Sequence, residues 1–153
     1  MKQVIVGEDQ LFGPWLASKT DGQWAPGRGH VIGLLDLDKG LIVGAAQFTD
    51  CNGASVILHC AGEGRDWLNR EFLWFCFFYP FEQLQVRKII SPVESSNNDC
   101  KKFIEHIGFT LEATLKDASP KGDLLLYTLN REDCKWLALR EKYRGKAEGS
   151  SRT

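Results

Sequence analysis

The sequence predicts an α/β domain built on a mixed, mostly antiparallel sheet flanked by helices. Three observations predict it. Three strand-like segments between His30 and Cys60 are separated by two tight-turn signals. A glycine-rich turn, Ala61–Asp66, then opens into an aromatic stretch of helical character. A strand, a helix stopped by Gly108 and two more strands complete the order. With 153 residues the chain fits one domain, and such a domain buries roughly 68–70% of its unfolded surface without a disulfide or metal staple. The domain is expected over residues 1–144, with a polar tail over 145–153.

The elements follow from local chemistry. Val4–Val6 reads as a short first strand. Asp9 caps a helix over about Gln10–Ser18, with Leu11, Phe12, Trp15 and Leu16 at helical spacing. Asp21–Gly29 is turn chemistry throughout, and Trp24 within it is a candidate wall for a bound acceptor. His30–Leu37, Leu41–Thr49 and Ala54–Cys60 form an antiparallel meander. Its turns are Asp38-Lys39-Gly40 and Asn52-Gly53, the second a type I′ signal.

A helix is expected from Trp67 to Tyr79, bent or restarted at Pro80 and ending near Leu84. Val86–Val93 is a strand, and Asn98–Ile107 a helix with Gly108 as its left-handed stop. Phe109–Leu115 and Leu124–Leu129 are strands joined by a loop over Lys116–Asp123. Asn130 caps a last helix that runs past Trp136 to about Tyr143.

Composition narrows the function. Nineteen Lys and Arg against twenty Asp and Glu argue against nucleic-acid or anionic-membrane binding, which calls for a basic excess. Cys51, Cys60, Cys76, Cys100 and Cys134 are odd in number and lack a C-x-x-C spacing, which fits buried or incidental thiols. His30, His59 and His106 match no zinc template, so no metal is expected. The apolar run Phe72–Tyr79 is far short of the ~18 residues that span a bilayer. There is no signal-peptide pattern, and the expected location is the cytoplasm.

The stretch from Ser95 to Phe109, with Asn97, Cys100, Ile104 and Gly108-Phe109 at fixed intervals, resembles the signature of the GNAT acetyltransferase superfamily. Leu111–Leu115 and Leu125–Arg131 resemble the strands that follow it, and the likeness extends over about residues 31–137. The words Gly62–Trp67, Tyr79–Leu84 and Cys134–Leu137 are similar to those of bacteriophage and prophage members. The resemblance implies acetyl-CoA as cofactor, an amine acceptor, and a wedge between the strand Ala54–Cys60 and the strand Val86–Val93. It implies that backbone groups of Leu58, Cys60 and Ala61 meet the pantetheine arm. Amides from Gly62 and Gly64 to Leu68 would face the pyrophosphate, with charge from Arg65 and a contact from Asn97.

His59, Glu63 and Glu94 are candidate bases, and Tyr127 a candidate proton donor. Ile104 occupies the position where the resemblance implies a tyrosine acting as general acid, and it has no proton to donate. That departure keeps a second reading open: a GNAT scaffold without catalysis, serving as an adaptor or virion component. Under it the aromatic helix Trp67–Tyr79 and the C-terminal helix dock a partner or a second copy.

Overall fold

The computed structural model describes residues 1–20, 24–64, 67 and 69–139, with the side chains of 138 and 139 left aside. Seven strands form one sheet in the order β1-β2-β3-β4-β5-β7-β6. They are β1 (Lys2–Val6), β2 (His30–Asp36), β3 (Leu41–Thr49), β4 (Ser55–Gly62), β5 (Lys88–Glu94), β6 (Thr110–Ser119) and β7 (Gly122–Asn130). Every neighbouring pair is antiparallel except β4 and β5. Parallel strands need a crossover. Here it is α2 (Arg70–Phe78) with a π-turn over Tyr79–Gln83. The expected mixed sheet is the observed one.

Alternation along the strands creates two cores. One face carries Leu34, Val56, Leu58, Ile89, Val93 and Tyr127, and is covered by α2 and by α3 (Asn98–His106). The other face carries Val31 and Ala45 and is covered by α1 (Asp9–Thr20) through Phe12 and Leu16. Phe12 lies directly on Gly33, where a Cβ would come within 2.2 Å of its ring. The glycine is what lets the helix seat so closely.

The aromatic helix is buried all round. Phe72, Leu73, Trp74, Phe75, Cys76, Phe77 and Phe78 are each no more than 6% exposed. The sheet takes one side. On the other, Phe77 stacks with Trp136 at 6.5 Å and 7°, and Trp136 donates its indole N–H to the Ile107 carbonyl. The chain itself covers this helix, so α2 is not the docking surface that the sequence suggested. Pro80 falls in the π-turn, where the Leu84 amide bonds to the Tyr79 carbonyl at 2.9 Å, which agrees with the expected bend.

Four local expectations are corrected. The Asn52-Gly53 turn is not type I′, because Gly53 has φ +87° but Asn52 is not in the positive-φ region. Instead the Asn52 carboxamide oxygen accepts from the amides of Ala54 and Ser55. Asp9 belongs to α1 and tethers it to β2, its carboxylate accepting from the Val31 amide and meeting His30 Nδ1. Lys116–Asp123 is not a loop: β6 and β7 run on into it and pair until Ser119 faces Gly122. The last helix is replaced by 3-10 turns at Arg131–Asp133 and Lys135–Leu139, and Asn130 makes no side-chain cap. Its continuation from 140 to Tyr143 and the 145–153 tail lie outside the described residues.

Candidate active site

β4 and β5 start together and then part. Their register runs Ser55↔Lys88, Val56↔Ile89, Ile57↔Ile90 and stops. Beyond it β4 continues to Gly62 paired with β3, and β5 to Glu94 paired with β7. Among the described residues, the bond that crosses the divergence runs from the Ser91 hydroxyl to the Leu58 carbonyl, 3.2 Å and buried. Leu58 therefore turns its main chain toward β5. By the two-residue period so do Cys60 and Gly62, whose backbone groups on that side have no strand partner in the register. The result is a wedge edged by main-chain donors and acceptors.

Because the two strands are parallel, their carboxyl ends lie at the same end of the sheet. The Gly62–Gly64 bend leads out of β4, and the start of α3 comes after β5. Gly64 has φ +59° and open space where a Cβ would stand. Asn69 caps α2 by accepting from the Phe72 amide, and Asn97 caps α3 by accepting from the Cys100 amide at 3.1 Å. Two helix N-termini, each with partial positive charge, thus border the crevice at the carboxyl ends of the strands.

The predicted residues divide between the two sides of the wedge. His59 alternates away from Leu58 onto the α1 face, opposite Gln47 of β3. Burial holds its pKa below the ordinary histidine value, the Arg28 charge adds to this, and Asp50 opposes it. Its imidazole is accordingly neutral at neutral pH. Glu94 ends β5, half-buried, on the same face as Ile90 and Pro92. Glu63 lies just past β4, exposed and ion-paired with Lys19 of α1. Trp24 packs on Gly13 of α1, where a Cβ would meet its ring at 2.4 Å.

On the α2/α3 face stand Leu58, Cys60, Gly62 and Tyr127. Tyr127 donates its hydroxyl to Glu105 Oε1 at 2.8 Å. Burial, then that bond and the charge of Glu105, push its pKa up to about 12. Ile104 is fully buried. Burial also raises the Cys60 and Cys100 thiols, which stay protonated. Arg65 and Leu68 lie outside the described residues.

Two features were not legible in the sequence. One is the Ser91 bond at the vertex of the wedge. The other is the ring of Trp67, which lies on Gly62: a Cβ there would stand 2.0 Å from its Cγ. The same ring contacts Phe103 of α3, centroids 3.9 Å apart, and its Nε1 donates to the Gly64 carbonyl at 3.1 Å.

Solved structures share this fold. A point mutant of the spermidine N-acetyltransferase SpeG of Vibrio cholerae is similar at TM-score 0.71 and 15% identity, over 89% of this chain and 96% of that one. The chain has the GNAT fold. The Vibrio cholerae spermidine N-acetyltransferase in complex with CoA and spermine is similar at TM-score 0.65 and 13% identity, over 86% of this chain and 96% of that one. An acetyltransferase of the GNAT family from Bacillus anthracis gives 0.55 and 15%, over 78% and 72%. No family model and no curated protein matches the chain. Among the described residues, no helix is long and apolar enough to cross a membrane.

Proposed function

We propose that the chain is an N-acetyltransferase that takes its acetyl group from acetyl-CoA and passes it to a primary amine of a small molecule or protein. The observation that carries this reading is the divergence of β4 from β5 beyond Ile57 and Ile90. The strand-edge groups of Cys60 and Gly62, which have no partner in β5 among the described residues, fit the amides of a pantetheine arm. The open Gly64 bend and the neighbouring helix N-termini suit phosphate oxygens. The fold similarity to a structure holding CoA and spermine supports the same cofactor and an amine acceptor. When bound, acetyl-CoA supplies a thioester whose acyl carbon is open to attack.

The chain's own residues supply the rest. Main-chain N–H groups at the edge of β4 stabilise negative charge developing on the carbonyl oxygen. An amine must lose a proton to attack and form the amide. His59, held neutral by burial, or Glu94 at the end of β5 accepts that proton, directly or through water. Glu63 is ion-paired with Lys19 at the end of β4, which ties its carboxylate to α1. The departing thiolate takes its proton from solvent: the Tyr127 hydroxyl is committed to Glu105 and its pKa is raised, and Ile104 has no proton to give. Asn97, at the start of α3, completes the cofactor wall, and Arg65 is the residue expected to bring charge to the phosphates.

Two observations favour the alternative of a scaffold without catalysis, as in an adaptor or virion component. They are the apolar Ile104 and the ring of Trp67 over Gly62. Thiol release from acetyl-CoA, measured across a panel of amines, separates the readings. The enzyme reading expects release that depends on both amine and protein and falls at least tenfold in His59→Gln. Acetyl-CoA that binds without amine-dependent release leaves the scaffold reading.

A further inference from the structure

The geometry points to Trp67 as an autoinhibitory ring that occupies the cofactor's own seat and has to leave Gly62 before acetyl-CoA can enter. This rests on the acetyl-CoA reading above. The ring sits flat on Gly62, with Cγ and Cδ2 each 2.0 Å and Cε2 2.3 Å from where a Cβ would be. That seating is possible only because residue 62 is glycine. It covers the α2/α3 face of Gly62, one of the residues at the edge of β4 that have no strand partner in β5 among the described residues.

The indole also reaches α3. Its contact with Phe103, 3.9 Å between centroids and tilted by 39°, leaves no room for a chain or a ring between them. It thus bridges β4 to α3 across the mouth of the wedge, on the face where Leu34 and Phe72 lie beside Gly44. The Nε1 bond takes up the Gly64 carbonyl in the same bend.

Two of these contacts, Gly62 and Gly64, are to site residues, and the third, Phe103, is to α3. Trp67 is only half-buried and packs at the margin of the core, so it can swing out without unfolding the domain. One aromatic contact and one hydrogen bond favour the seated state by roughly ten- to hundredfold. A cofactor that binds only the vacated state then shows an apparent affinity reduced by the same factor.

The test is titration calorimetry and stopped-flow binding of acetyl-CoA to the wild type, Trp67→Ala and Phe103→Ala. Wild-type association is expected to level off with rising acetyl-CoA, because opening becomes limiting. Trp67→Ala should bind at least tenfold more tightly with a rate linear in concentration, and Phe103→Ala should fall between. Trp67→Leu substitutes if circular dichroism shows that the alanine variant fails to fold. Equal or weaker binding by the Trp67 variant overturns the inference and leaves the transferase reading standing. No binding by any form at millimolar acetyl-CoA overturns both.

Discussion

The vertex of the wedge depends on one hydroxyl. Ser91 is 3% exposed, and its Oγ donates to the Leu58 carbonyl at 3.2 Å across the point where the strands part. Ser91→Ala deletes the donor and leaves a buried carbonyl without it. A typical bond contributes about 0.5–1.5 kcal/mol, and a stranded buried acceptor costs about 1–3 kcal/mol. The alanine methyl fits the space of the serine, so no cavity term is added. We expect a loss of about 1–2 kcal/mol. In a domain of this size that lowers the melting temperature by roughly 2–8 °C. Urea unfolding followed by circular dichroism measures it, with the slope unchanged if only stability has moved. A Ser91→Ala protein within about 0.5 kcal/mol of the wild type would refute the reasoning. The Leu58 carbonyl would then have another partner, and the parting of the strands would not be fixed at that residue.

Two further perturbations probe the packing around the site. Ile104→Ala, in a fully buried position, should cost about 2–5 kcal/mol in the same urea assay; a small effect would mean that the α3 face is not packed against the sheet. Tyr127 has a folded pKa of about 12 against an ordinary value of 10.0, raised first by burial. Its contribution is fully present below pH 10 and is lost as pH rises from about 10 to 12, because the unfolded chain releases that proton first. Tyr127→Phe should therefore unfold with a flatter alkaline slope than the wild type, and identical slopes between pH 9 and 12 would show that the phenol is not sheltered.

The sheet was largely legible because its signals were local. The meander from His30 to Cys60 carries its own turns, and Gly40 takes φ +65° as a tight turn requires. The Gly108 stop and the break at Pro80 were equally readable. The β6–β7 hairpin was misread for a physical reason. Leu111, Ala113 and Leu115 alternate and marked the first half of β6, but Lys116–Ser119 carry no such alternation and turn-forming letters fill the tip. The C-terminal helix failed because distant contacts override local propensity. Arg131 bonds the Phe81 carbonyl and Glu82, and Trp136 bonds the Ile107 carbonyl, which pins the segment into short turns.

At the site, the sequence indicated the strands and the glycines but not what meets across them. The reach of Ser91 to Leu58 depends on register between strands more than thirty residues apart. The seating of Trp67 on Gly62 depends on how the bend folds back, which spacing alone does not encode. The partner of Tyr127 was likewise hidden, since Glu105 lies on α3, twenty-two residues away along the chain.

The most direct test of the whole account is a backbone-amide NMR titration with acetyl-CoA, following Cys60 and Gly62 at the strand edge. The account predicts that these two amides shift most, saturably, and gain protection from exchange, while amides of β1 and β2 stay put. Unmoved Cys60 and Gly62 signals at saturating acetyl-CoA would contradict it, whatever moved elsewhere.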